Sequence, residues 1–252
     1  MKKSFLWLPL VFFIICSFIL PNEKKTKVYL IGDSTIAKKE VRAYPETGWG
    51  MPFSLFFDST IAVDNRAKNG RSTRTFIEEG LWKPVVDNLQ EGDYVFIQFG
   101  HNDEVETKKS YTTKEQFTTN LSLYVNETRA RKAIPVLLTP VARRKFDSTG
   151  KIVGTHDVYA ELVRSVARGL KVPLIDLDRK SQALLQQLGV AGSALLFNHL
   201  QPGEHPNYPA GKVDDTHFSE LGARKMATIV LAEIRSLQLG LADHINSASL
   251  KK

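Results

Sequence analysis

Val28-Tyr29-Leu30-Ile31-Gly32-Asp33-Ser34-Thr35 is an apolar, β-branched and aromatic run that stops abruptly at a glycine, an aspartate and a serine. Such a run reads as a buried strand that delivers Ser34 to a tight turn at its carboxyl end. Ligands of open α/β sheets bind in the crevice outside the carboxyl ends of the strands. Ser34 is therefore placed where a nucleophile is useful. The same three residues also suit a strand–turn–helix junction with Ser34 or Thr35 as a helix N-cap. Taken alone, they favour the cap. The rest of the chain decides.

Working outward, the pattern predicts strands over Lys27–Ile31, Ile61–Asp64, Tyr94–Phe99, Ile134–Leu138 and Val172–Asp176. Helices are expected at Pro52–Phe57, Thr73–Glu79, Lys83–Leu89, Thr113–Lys132 and Arg179–Leu188. Two more begin at capping residues. Asp157 precedes Leu162, Val166 and Leu170 at spacings of four, and Ser219 opens a helix to about Leu237. Residues 196–213 read as a long loop rich in Pro, Gly, His and Asn, and such loops are more often functional than idle. Strands alternating with helices make an α/β fold, a parallel sheet covered on both faces in a three-layer sandwich. In the flavodoxin-like strand order 2-1-3-4-5, the first three strands end side by side at the switch point.

The 252 residues suit one such domain, expected over residues 23–239, with residues 240–252 as a loose tail. Residues 1–22 differ from everything after them. Lys2 and Lys3 precede an apolar run from Phe5 to Leu20 broken only by Pro9, Cys16 and Ser17, the pattern of an export signal. An uncleaved N-terminal anchor is the other reading, and is the one route by which a membrane enters. Lipid on Cys16 is disfavoured by the bulky Ile15 before it. The protein is expected to be secreted, periplasmic or associated with the cell envelope. A single cysteine excludes an intramolecular disulfide and a cysteine-based metal site. The formal charge of +7 is spread along the chain without a nucleic-acid motif, so a solvated basic surface is expected rather than a nucleic-acid partner.

Polar groups fall at the ends of the first three strands: Ser34, then Gly70 in Asn65-Arg-Ala-Lys-Asn-Gly-Arg-Ser-Thr, then Asn102 in Gly100-His-Asn-Asp. A fourth set, Asp214-Asp215-Thr216-His217, directly precedes the last helix. Acyl transfer by serine needs a hydroxyl, a base, a group that orients the base, and donors for the oxyanion. Ser34, His217 and Asp214 supply the first three. The Ser34 and Gly70 N–H groups and the Asn102 amide supply the donors. Asp214 and Asp215 compete for the orienting role. Trp49, Arg71 and His199 are candidate substrate contacts. Each has a plainer reading: a packed ring, a surface cation, a packing histidine. Arg143 and Arg144 are read the same way. His101, His156, His199 and His205 are dispersed and lack metal-ligand spacing, so no metal and no cofactor is expected.

Gly32-Asp-Ser-Thr, Asn69-Gly-Arg-Ser, Gly100-His-Asn-Asp and Asp214-x-x-His217 resemble the four ordered blocks of the SGNH, or GDSL-like, hydrolases. The serine, glycine, asparagine and histidine of that name correspond to Ser34, Gly70, Asn102 and His217. The rhamnogalacturonan acetylesterase branch is more similar still, through Arg143-Arg-Lys-Phe-Asp, Val172-Pro-Leu-Ile-Asp-Leu and the stretch from Leu196 to Pro209. Thr35 stands where the wider superfamily has leucine. Asp214 is the aspartate that family spacing selects. The resemblance implies an esterase that removes acetyl groups from an acetylated, galacturonate-containing polysaccharide. Rival expectations are the same chemistry on acetylated xylan or a small lipid ester, and a non-catalytic carbohydrate-binding module on this fold.

Overall fold

A computed structural model describes residues 25–246. The expected export segment lies outside them, as do residues 247–252. The elements run β1 (Thr26–Gly32), α1 (Gly50–Phe53), β2 (Ile61–Asn65), α2 (Thr73–Glu78), α3 (Lys83–Asn88), β3 (Tyr94–Gln98) and α4 (Lys114–Ala130). They continue with β4 (Ile134–Leu138), α5 (Asp157–Leu170), β5 (Leu174–Ile175), α6 (Leu177–Ala194), β6 (Phe197–Leu200), β7 (Lys212–Phe218) and α7 (Glu220–Ser236). Five parallel strands form one sheet in the order β2-β1-β3-β4-β5, as expected.

The central strands are buried on both faces, and their side chains alternate between two cores. Val28, Leu30, Phe96 and Val136 point to one face and meet Phe53 and the buried stripe of α7, Met226, Val230 and Ile234. Tyr29, Ile31, Val95 and Ile97 point to the other and meet Phe76, Phe117, Leu121 and Tyr124. At Gly32 a Cβ would collide with the Gln98 carbonyl of β3, so glycine alone lets the two strands run this close where the turn begins.

Five expectations are corrected. No helix follows β1: residues 33–37 form a turn, and the chain crosses to β2 through α1 and short 3₁₀ segments, so neither Ser34 nor Thr35 is an N-cap. The loop expected over residues 196–213 instead contains β6, which pairs antiparallel with β7. Asp157 is the first residue of α5 rather than its cap, which is His156. The tail expected from Gly240 is docked through residue 246: Leu241 and Ile245 are 1% and 5% exposed, and the Asp58 and Asn246 N–H groups bond to the carbonyls of His244 and Phe56. Apolar burial at those two positions holds what composition alone reads as loose. Ser219 caps α7 as expected, its hydroxyl accepting from the Gly222 N–H. The helix expected to stop at Leu188 breaks at Gly189, whose φ of 67° is left-handed, and then resumes to Ala194.

Candidate active site

Ser34 sits in the turn after β1, and the turn is held from below. Asp33 is fully buried, and its Oδ1 accepts from the Thr35 N–H at 2.9 Å and the Thr35 hydroxyl at 2.8 Å. Burial raises the Asp33 carboxyl above its ordinary value. The Thr35 hydroxyl in turn accepts from Gln98 Nε2 at 2.7 Å, and Gln98 Oε1 accepts from Trp49 Nε1 at 3.0 Å. Trp49 has no exposed surface. The expectation that it touches substrate is therefore corrected: its ring fills the core and its N–H supports the Ser34 turn through Gln98 and Thr35.

His217 lies near the end of β7, one turn of chain before α7. Its Nε2 is 2.9 Å from Ser34 Oγ and its Nδ1 is 2.9 Å from Asp214 Oδ2. The other oxygen of Asp214 accepts the backbone N–H groups of Thr216 and His217, both at 2.9 Å. Burial pushes the Asp214 carboxyl up, but the hydrogen bond and charge of His217 and the two backbone donors outweigh it and hold the group far below the usual carboxylate range. Asp215 faces elsewhere. Its Oδ1 lies 2.9 Å from His199 Nε2 and accepts from Arg144 Nη1 at 2.9 Å. His199 is thus tied to Asp215, and the structure does not bring it to Ser34.

Gly70 has a φ of 78°, a left-handed conformation that L side chains rarely adopt, and its surroundings are open. Among the described residues neither the Ser34 nor the Gly70 N–H is engaged by another group. Asn102 Nδ2 donates to the Arg71 carbonyl at 3.0 Å, which leaves its second N–H available. One residue on, Asp103 Oδ1 accepts from the Thr73 N–H and hydroxyl at 2.8 and 2.6 Å. These bonds lock the Gly100–Asp103 block to the loop that carries Gly70. Burial raises the Asp103 carboxyl to about 7. Arg71 braces the same loop, its guanidinium bonding to Glu79 and to the Asn69 carbonyl, so its first role is internal. Arg143 and Arg144 are likewise committed, Arg143 to Thr216 and the His101 carbonyl, Arg144 to Asp215 and the Val190 carbonyl.

Three charged residues that sequence reasoning passed over also stand here. Lys39 is buried and contacts Ser34, Asn69 and Glu46. Lys212 lies 3.2 Å from Asp214 Oδ2 and 3.6 Å from Glu46 Oε2. Burial pulls the Lys212 ammonium down, and the two carboxylates more than offset this, leaving it above the ordinary lysine value. Glu46, Asp214 and His217 place potential ligand atoms within 4.8 Å of one another. Both carboxylates already face an ammonium, so this donor set is occupied by internal cations and poorly suited to a divalent ion. Lys39 and Glu46 both follow the Ser34 turn in the chain, and no sequence motif marks either.

Residues 30–225 match the family of GDSL-like lipases and acylhydrolases. The chain belongs to that family. Over 231 residues it is 41% identical to "Rhamnogalacturonan acetylesterase RhgT" of Bacillus subtilis, covering 91% of this chain and 98% of the relative. It is 34% identical to "Probable rhamnogalacturonan acetylesterase YesY" of the same organism, over 86% of this chain and 96% of that one. Among solved structures, YxiM of Bacillus subtilis superposes with a TM-score of 0.74 at 24% identity, covering 86% of this chain and 58% of the other. Axe2, an acetylxylan esterase from Geobacillus stearothermophilus, superposes at 0.61 and 19% identity, covering 84% and 94%. At these identities the structural likenesses speak to the fold. Family membership makes this chain an acylhydrolase, an enzyme that cleaves esters.

Proposed function

We propose that this acylhydrolase is an exported carbohydrate acetylesterase acting on pectic rhamnogalacturonan through an acetyl-serine intermediate. The hydrogen-bonded series from Ser34 Oγ through His217 to Asp214 carries the reading. As Ser34 Oγ attacks the acetyl carbonyl, His217 Nε2 takes the hydroxyl proton, and Asp214 keeps the ring in the tautomer with its proton on Nδ1. The oxyanion is received by the Ser34 and Gly70 N–H groups and the free N–H of Asn102. Collapse breaks the ester bond, and the departing sugar oxygen takes the proton from His217. A water then repeats the sequence on the acetyl-serine, releasing acetate and restoring Ser34.

Two observations support the substrate. The relatives that match nearly their whole length carry that activity in their names. Beside the Gly70 loop lies a cleft of about 250 Å³ lined by Lys38, Arg42, Lys68 and Arg71 against the single acid Glu40. Among the described residues Lys38 and Lys68 meet no carboxylate, and uronate groups of a pectic chain suit them. The basic, apolar start at residues 2–20 supports export, as does a polymer too large to enter a cell. Acetate release from acetylated rhamnogalacturonan, acetylated xylan and a short-chain glyceride tests the assignment. Release is expected to be fastest from rhamnogalacturonan, and a tenfold preference for xylan or glyceride would overturn it.

A further inference from the structure

The Lys39 side chain is 0% exposed, yet it carries an ammonium with three acceptors from three separate segments. Nζ donates to the carbonyl of Ser34 at 2.5 Å and to Asn69 Oδ1 at 3.0 Å, and it lies 2.7 Å from Glu46 Oε1. One cation therefore ties the peptide of the proposed nucleophile to the residue preceding Gly70. Glu46 is itself 7% exposed, and the same Oε1 lies 4.0 Å from His217 Nε2, the nitrogen that faces Ser34. A carboxylate at that distance competes with Ser34 for an imidazolium N–H unless its charge is held elsewhere. A buried ion pair that merely stabilised the fold has no need of these neighbours, since such pairs roughly break even against apolar packing.

We propose that Lys39 and Glu46 form a positioning pair for the esterase site. Lys39 clamps Ser34 and the Gly70 loop in register and neutralises Glu46. Glu46 fixes the Lys39 ammonium and, with its charge offset, helps hold His217 aimed at Ser34. The inference rests on the serine mechanism proposed above. Other charged groups around His217 are Asp214 on its Nδ1 side, Lys212 beside Asp214 and Glu46, and the buried His101 with Arg143 behind it.

Lys39→Met removes the ammonium while keeping the side-chain length. It leaves Glu46 unpaired beside His217 and the clamp undone. Glu46→Gln removes the carboxylate while keeping its shape. With an aryl acetate as substrate, K39M is expected to lower kcat about tenfold or more with KM changed less than threefold, because small misplacements of reacting groups are costly. The acid limb of its kcat/KM profile is expected to move to higher pH by about one unit, since an opposite charge within ~4–6 Å favours the protonated imidazole. E46Q is expected to move that limb to lower pH. K39M/E46Q returns the limb toward that of the parent and keeps the loss in kcat. Should K39M fail to fold, E46Q alone decides through its limb and its kcat. Superimposable pH profiles with unchanged kcat, or losses confined to KM, overturn the pair. Ser34→Ala run in parallel separates the two levels. If S34A is inactive and the pair variants match the parent, only this inference fails. If S34A retains turnover, the serine reading fails first.

Discussion

The β6–β7 hairpin carries two aspartate–histidine pairs on adjacent residues, and they have different fates. Asp214 holds His217 through Nδ1, and the free Nε2 meets Ser34 Oγ. Asp215 holds His199 through Nε2, and Arg144 occupies the same carboxylate oxygen. Neighbours on a strand point to opposite sides, so a one-residue step sends one carboxylate to the Ser34 turn and the other to the arginine on the loop after β4. An Asp–His pair alone does not make the proposed site. What distinguishes Asp214–His217 is the hydroxyl on the far nitrogen and unengaged N–H donors near it. Asp215–His199–Arg144 is a structural clasp that joins the hairpin to the segment around Ser193 and Val190.

Removing Ser34 should erase the difference between the pairs. Ser34→Ala is expected to lose nearly all acetate release with no change in thermal unfolding. Asp214→Asn, which permits the wrong tautomer, is expected to cost on the order of 10⁴ in kcat, the scale seen when a triad aspartate is changed to asparagine elsewhere. Asn102→Ala should cost about 10²–10³ in kcat with little change in KM, the signature of a donor used in the transition state. Asp215→Asn is expected to leave kcat within a few-fold. It should lower stability by at most ~1 kcal/mol, because its partners are partly solvated. A kcat loss in D215N equal to that in D214N would break the comparison.

The smallest effects concern pH and stability. Asp214 is held far below the usual carboxylate range, so its contribution to stability is present above that range and fades as pH falls through it. Asp103 behaves oppositely. Its carboxyl is raised to about 7, so its contribution is full below ~4 and is lost as pH rises toward 7. Asp103→Asn should therefore flatten the unfolding temperature between those limits. An unchanged slope would show that another buried group governs it.

Much of the framework was legible because short continuous apolar runs bounded by polar or turn residues mark strands buried on both faces: Tyr94–Gln98 and Ile134–Leu138 carry little else. Ser34, Gly70 and Asn102 stood out at the ends of the first three strands, and Asp214 and His217 directly before the last helix. β7 was hidden because Lys212-Val-Asp-Asp-Thr-His reads as polar loop, its two aspartates being depleted in strands, and it is held by pairing with β6 and by Phe218 in the core. Trp49 was misread because an aromatic among glycines looks equally like a pocket wall and a core ring, and only the path of the chain after β1 buries it. Lys39 escaped notice because a buried lysine is rare, and its acceptors lie as far as 30 residues from it in the chain.

The most direct test of the central claim is covalent labelling with an aryl phosphonate ester, read by intact and peptide mass spectrometry beside acetate release. One adduct per chain on the peptide containing Ser34 is expected, with activity lost in proportion. D215N should label at the parent's rate and D214N at least a hundredfold more slowly. An adduct on another residue, full activity in fully labelled protein, or equal labelling of D214N and the parent would contradict the account.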